Sequence, residues 1–329
     1  MRPTFHAQLV NGRFGDAAIF VERLHARAAL LFDLGDLAAL SSRDLLRIET
    51  VLVSHMHMDH FIGFDSLLRV NVGRSKTIRL VGPPGVIACI GHKLCGYTWD
   101  LAGRHAEALV FHVYEVSEGL LREARFHLAT RFAREDLGER TLRDDLVLEA
   151  NDFIVRAALL EHHGHSLGFA VSEPIHVNVW RNRVEEAGLP VGPWLKGLKK
   201  AVRDDLPDQW PVLLPDGATN PLGELRDLVS VEPGQTLGYV TDVRDTADNR
   251  QAIAKLCAGA DTLFIDASFA AADAELAAAR AHLTTRAAGE IARLAGARRV
   301  EPFHFSPRYQ GQEAELLAEV REAFCPEVS

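Results

Sequence analysis

The chain has 329 residues, a formal net charge of −9, and 47% hydrophobic and 25% charged residues, the make-up of an ordinary globular protein with one large core or two modest ones. No stretch reaches the roughly 18 unbroken apolar residues of a membrane span, because Asp266, Asp273, Glu275 and Arg280 interrupt the alanine-rich tract 264–281. No early apolar run marks a secretory signal, so the expectation is a cytoplasmic protein with no membrane partner.

In chain order, residues 28–33 (AALLFD) and 48–53 (IETVLV) read as buried strands, with a helix over 37–47 between them. Further strands are expected at 77–81, 110–116, 126–131, 153–160, 168–171, 237–241, 262–265 and 299–303, and helices at 84–94, 248–258 and 285–294. Strands that first meander and then alternate with helices predict an α/β protein of layered sheets covered by helices. From 175 to 231 the sequence turns rich in proline, tryptophan and charge without a strong strand signal. It reads as an arm inserted into a single domain spanning 1–329. Within it Arg181, Arg183, Lys196, Lys199, Lys200 and Arg203 make a locally basic stretch, which a solvated helix face explains as well as a binding surface does. An acidic protein would need such a patch to hold a polyanion.

The strongest chemical signal is His55-Met-His57-Met-Asp59-His60 at the end of an apolar strand. Imidazole and carboxylate are natural ligands of borderline divalent metals, and four such groups within six residues exceed what one open site needs. On an extended loop His55 and His57 point the same way while Asp59 and His60 turn toward a second position, so two metals sharing one cleft are expected. The four cysteines (Cys89, Cys95, Cys257 and Cys325) form no CxxC pair, which argues against a thiolate zinc site or a disulfide framework.

The strand ending at Leu160 runs into Glu161-His162-His163-Gly164-His165-Ser166, and one of these three histidines is expected as a ligand. Asp242 closes the apolar strand before it; such a residue can bridge two cations or cap a helix. His304 closes another strand in Pro302-Phe303-His304-Phe305-Ser306-Pro307-Arg308-Tyr309. His282, in Ala281-His282-Leu283-Thr284-Thr285, reads by itself as a surface histidine ahead of a helix.

Taken together, HxHxDH, HxxxSxGF, an Asp after an apolar strand and HFSPRY, in that order over residues 28–309, resemble the metallo-β-lactamase superfamily. HFSPRY with a preceding His-x-Thr-Thr narrows this to proteins similar to ribonuclease Z, the endonuclease that trims transfer-RNA precursors at the 3′ side. The resemblance implies a four-layered αββα fold and two Zn2+ per subunit; the same donors would also accept Mn2+ or Fe2+. It implies that His55, His57 and His162 take one metal, that Asp59, His60 and His304 take the other, and that Asp242 bridges them. The resemblance prefers His162 to its neighbours, because the family's ligand stands four residues before a Ser that leads into a bulky residue and Gly-aromatic, here Ser166-Leu167-Gly168-Phe169.

By the same resemblance Asp59 orients or deprotonates the attacking water. His282 protonates the leaving group, held by Asp266, which stands where the family commonly has Glu. Precursor transfer RNA is the implied partner, clamped by the arm, in a homodimer in which one subunit's arm serves the other. Residues 9–16 (LVNGRFGD) carry one basic residue where the family has a basic RNA-recognition loop. That departure keeps an alternative, a phosphodiesterase of the same fold acting on a small or cyclic nucleotide or other diester.

Overall fold

The computed structural model describes residues 4–24, 26–100 and 109–325; the first three residues of the segment read above for a secretory signal lie outside them. Among the described residues no helix is long and apolar enough to cross a membrane. Two compact units emerge, one of 1–149, 155–171 and 235–329, the other of 150–154 and 172–234.

In the first unit, β1 (Phe5–Leu9), β2 (Ile19–Arg23), β3 (Ala29–Phe32), β4 (Ile48–Leu52), β5 (Thr77–Gly82), β6 (Val110–Ser117), β7 (Leu120–His127) and β8 (Arg134–Thr141) form one sheet in chain order. Its centre, β3 to β6, is parallel, and its two flanks are antiparallel. Parallel strands are buried on both faces, which is why β3 is buried throughout and β4 nearly so. β9 (Leu146–Glu149), β10 (Ile154–Glu161) and β11 (His165–Ser172) join three later strands in a second sheet. The later strands are β16 (Thr236–Val240), β17 (Thr262–Asp266) and β18 (Val300–Phe303), and β16, β17 and β18 run parallel.

The sheets meet face to face, with Phe32 of β3 stacked on Tyr239 of β16 at 4.8 Å between ring centroids and Phe169 of β11 at 6.4 Å. The outer face of the first sheet packs Leu31, Val51, Leu80 and Phe111 against helices Phe64–Asn71 and Val86–Cys95. Ile265 and Val240 of the second pack against helices Ala247–Leu256, Thr285–Leu294 and Glu313–Phe324. This is the αββα layering of the metallo-β-lactamase fold.

Local departures from the sequence reading have local causes. The helix expected over 37–47 is only Ser42–Arg47, because the Ser41 side chain accepts from the backbone N–H of Asp44 and sets a later start. The strand expected at 126–131 is the end of β7, and the chain then turns through Leu128–Thr130 with Arg131 left-handed at φ 55°. β8 is exposed along its whole length and so has no apolar alternation to reveal it.

The second unit has short elements where no strong strand signal was read: β12 (His176–Val179) pairs antiparallel with β15 (Val229–Glu232), and β13 (Pro211–Leu213) with β14 (Thr219–Pro221). Helices Arg181–Glu186, Leu195–Arg203 and Leu222–Leu225 and a short 3-10 helix at Arg226–Leu228 belong to it as well. Val177, Val184, Leu198, Val202, Leu222 and Leu225 are among the residues of its own buried core. At its neck the two chain ends touch: a Cβ on Gly234 would come within 2.4 Å of the Glu173 carbonyl, so glycine is required there.

Candidate metal centre

Every sequence-predicted ligand sits just beyond the end of a strand or in the loop that follows it, where backbone pairing stops and side chains turn into a common cleft. Val53, Ser54 and His55 follow β4, His162 follows β10, Asp242 lies two residues past β16, and His304 follows β18. Asp242 (φ 48°) and His304 (φ 60°) are left-handed, a conformation costly for non-glycine residues that persists where surroundings enforce it, often at functional sites.

The structure brings the predicted residues together in two groups: donor atoms of His55, His57, His162 and Asp242 lie within 4.8 Å of one another, as do those of Asp59, His60 and His304. Asp242 is central. Its Oδ2 is 3.2 Å from His55 Nε2, 3.4 Å from His60 Nε2 and 3.7 Å from His162 Nε2, and its Oδ1 is 3.2 Å from His304 Nδ1. Asp59 Oδ2 lies 3.4 Å from His60 Nε2 and 3.5 Å from His304 Nε2. His163 and His165 are exposed and belong to neither group.

Four of these imidazoles have a neighbour for Nδ1. His55 Nδ1 lies 3.1 Å from Ser54 Oγ, His60 Nδ1 2.8 Å from Asp33 Oδ2, His162 Nδ1 2.8 Å from the Ala281 carbonyl and His304 Nδ1 3.2 Å from Ser268 Oγ. A proton held on Nδ1 leaves the Nε2 lone pair for a metal. Nε2 of both His55 and His60 is buried without a hydrogen-bond partner. Orphaned buried nitrogens are costly, and here they aim at a cluster of carboxylates, so the donor set fits one or two divalent cations.

Electrostatics agree. Burial pushes the Asp242 carboxyl up, but His304 and His60 hold it well below the usual carboxylate range, and hydrogen bonds to His304 and His60 keep Asp59 ionised. Burial lowers the His60 and His304 imidazoles, yet the charge of Asp242, with Asp33 for His60 and Asp59 for His304, raises both. His162 is pushed down by burial to about 4. Carboxylates and imidazoles are thus held against one another, and a divalent cation binding them would compete with protons.

Beside the cluster His282 Nδ1 lies 2.9 Å from Asp266 Oδ2 and 3.9 Å from Asp242 Oδ1; the aspartate therefore reaches its histidine despite lacking a methylene of glutamate. Burial lowers the His282 pKa, but Asp266 outweighs it and raises the group to about 9. With Asp242 and His304, His282 forms a third group of potential metal donors, although its Nδ1 is engaged by Asp266. His282, His304 and Asp59 open onto a cleft of about 380 Å³ that Phe14, Asp16, Phe269, Arg280 and Arg308 also line.

Sequence reasoning missed two residues that hold the ligands. Asp33, fully buried and left-handed at φ 52°, accepts from Ser54 N, Ser54 Oγ and the Tyr239 hydroxyl and sits on His60 Nδ1. Its signal was available, since it closes an apolar strand as Asp242 does. Asn249 accepts from Glu161 N and donates to the carbonyls of Glu161 and Arg244. It thereby ties the residue before His162 to the turn after Asp242.

No family model matches the chain. Individual relatives do: it is 33% identical over 303 residues to the ribonuclease Z of Deinococcus radiodurans, covering 90% of this chain and 88% of that one. It is 30% identical over 323 residues to the ribonuclease Z of Natronomonas pharaonis, covering 95% and 88%. Among solved structures, human tRNase Z, short form, superposes with a TM-score of 0.52 at 20% identity, over 93% of each chain. The metallo-beta-lactamase fold protein YhfI from Bacillus subtilis gives 0.54 at 16%, over 96% of this chain and 91% of that one. These structures share the fold, while the two sequence relatives place the protein more narrowly: the chain belongs to the ribonuclease Z family.

Proposed function

We propose that the protein is a zinc-dependent endoribonuclease that processes the 3′ end of precursor transfer RNA. The observation that carries this beyond the family is the His282–Asp266 pair, 2.9 Å apart, whose histidine faces the same cleft as Asp59 and His304 of the ligand cluster. Cleaving RNA expels a ribose alkoxide, a poor leaving group that needs a proton, and a positioned acid supplies it.

His55, His57 and His162 would hold one ion, Asp59, His60 and His304 the other, with Asp242 between them. Bound divalent ions would supply hydroxide near neutral pH and neutralise a phosphate oxygen. Asp59, partly exposed to the cleft, would orient or deprotonate the attacking water. Asp266 holds the Nδ1–H of His282 and favours its imidazolium form, whose second proton, on Nε2, is then available to the leaving oxygen.

A second reading, hydrolysis of a small or cyclic nucleotide or other diester, rests on the 9–16 loop. Its one basic residue, Arg13, is committed to Glu301, Glu313 and the Pro302 carbonyl, while Asp16 lines the cleft. Arg280 and Arg308 put cations on the cleft wall, and Lys196 and Lys199 of the inserted unit carry no ion pair among the described residues; both features favour RNA. The homodimer, with one subunit's arm serving the other, and the cytoplasmic location implied by the sequence belong to the same proposal.

The test is cleavage of a 3′-extended transfer-RNA precursor by zinc-loaded protein, with bis(p-nitrophenyl) phosphate assayed alongside. Cutting at the end of the acceptor stem, lost in His282→Ala while turnover of the small diester persists, is the expected result. Because p-nitrophenolate leaves without a proton, its release should not need His282. Diester turnover with no RNA cleavage by the unmodified protein would replace the proposal with the second reading.

A further inference from the structure

Ser268 stands two residues past the end of β17, is 4% exposed, and touches both halves of the site. Its Oγ lies 2.7 Å from Asp266 Oδ1 and 2.7 Å from the His304 carbonyl, 3.2 Å from His304 Nδ1 and 3.3 Å from His282 Nδ1. Its N–H also donates to Asp266 Oδ1, at 3.0 Å.

A serine hydroxyl has one proton to give and two lone pairs to receive, which restricts how these contacts can be made. The His282 Nδ1 proton is committed to Asp266 Oδ2 at 2.9 Å, so Ser268 is its neighbour and not its acceptor. The serine proton goes to Asp266 Oδ1 in preference to the equally distant His304 carbonyl, because an ionised carboxylate is the stronger acceptor. Its lone pairs are then the acceptor for His304 Nδ1–H. The competing acceptor, Asp242 Oδ1, is also 3.2 Å away, but on the two-metal reading that carboxylate faces the cations.

We infer that Ser268 is a positioning residue that joins the second metal site to the proton donor: its hydroxyl holds the Nδ1–H tautomer of His304, freeing Nε2 as a ligand, and steadies the Asp266 oxygen that His282 does not use. The inference rests on the proposed ligand set and not on the identity of the substrate. One hydroxyl then sets both a metal ligand's orientation and the aim of the acid, so metal loading and proton delivery are coupled through it.

The test is a Zn2+ titration of the full chain in competition with a chromophoric chelator, on the unmodified protein, Ser268→Ala and Ser268→Thr. Outer hydrogen-bond partners of metal ligands are worth about 10- to 100-fold in metal affinity. Ser268→Ala should lose affinity of that order for the weaker ion, with kcat reduced even at saturating zinc, and Ser268→Thr, which keeps the hydroxyl, should restore both. Equal affinity in Ser268→Ala, or equal loss in Ser268→Ala and Ser268→Thr, overturns the inference.

Should Ser268→Ala fail to fold, the histidine side-chain nitrogens of zinc-loaded, 15N-labelled unmodified protein give an independent answer, with the His304 signals identified by their loss in His304→Asn. A protonated Nδ1 with Nε2 on the metal is expected for His304. The opposite tautomer refutes the role assigned to Ser268. Neither measurement uses RNA, so failure here and failure of the endonuclease proposal are separable.

Discussion

Replacing Asp33 by Asn changes almost nothing in shape and a great deal in hydrogen bonding. Three donors converge on Asp33 Oδ2, His60 Nδ1 at 2.8 Å, Ser54 Oγ at 2.7 Å and the Tyr239 hydroxyl at 2.6 Å, while Ser54 N donates to Oδ1 at 2.6 Å. An amide cannot satisfy this set. With its oxygen toward the three donors, its NH2 faces the Ser54 N–H; turned over, it faces all three. Charge-assisted bonds are stronger than neutral ones by about 1 kcal/mol each, and a buried donor left unsatisfied costs about 1–3 kcal/mol.

Removing a buried charge recovers part of that, and the net expectation is a loss of about 3 kcal/mol. At about 2–4 °C per kcal/mol for a domain of this size, the melting temperature should fall by roughly 6–12 °C. Metal affinity should fall about 10- to 100-fold, because His60 loses the partner that fixes its ring. Thermal unfolding of the metal-free protein and chelator-competed zinc binding measure the two effects separately. An Asp33→Asn protein that melts with the parent and binds zinc as tightly would falsify this account of how His60 is held.

Three other perturbations test different parts of the molecule. His304→Ala should abolish hydrolysis of both RNA and the small diester while leaving the far-ultraviolet circular dichroism close to that of the parent; full activity in that variant would refute the two-metal centre as drawn. Lys196→Glu with Lys199→Glu should weaken binding of precursor transfer RNA and make its salt dependence shallower by about one to two in log–log slope, with no change on bis(p-nitrophenyl) phosphate; equal loss on both substrates would assign the arm a structural role. Gly63→Ala should destabilise by about 1–3 kcal/mol through overpacking, since its Cβ would lie 2.2 Å from the Gly35 carbonyl and 2.6 Å from Leu37; unchanged denaturant unfolding would show that the loop after the histidine motif yields freely.

How legible this was depended on whether a residue's role is written in its spacing. His55, His57, Asp59 and His60 crowd one loop, so their chemistry is visible without any structure. His162, Asp242, His282 and His304 are far apart in sequence, and motif resemblance was needed to join them. Asp33 and Asn249 each act through several hydrogen bonds to residues brought together by the fold, which leave no periodicity. Asp33 looked like any strand-end aspartate, and Asn249 like any residue in the first turn of a helix. Helix Leu195–Arg203 shows the limit on packing: its basic face was readable, but Leu195, Leu198 and Val202 are buried within a separate core. Deleting 188–200 would therefore remove core as well as charge, and charge reversal is the cleaner perturbation.

The pairing of β12 with β15 and the contact at Gly234 bring the two ends of the inserted unit side by side. An insertion anchored in that way closes its own loop. Because closure entropy grows by only about 0.6 kcal/mol for each doubling of loop length, its neck can accept a longer, shorter or differently charged cassette at little thermodynamic penalty. The candidate metal centre draws every one of its residues from the other unit. The inserted module could thus be exchanged while the cluster stays fixed, and a laboratory graft of another segment between Ser172 and Gly234 would begin from ends that already meet.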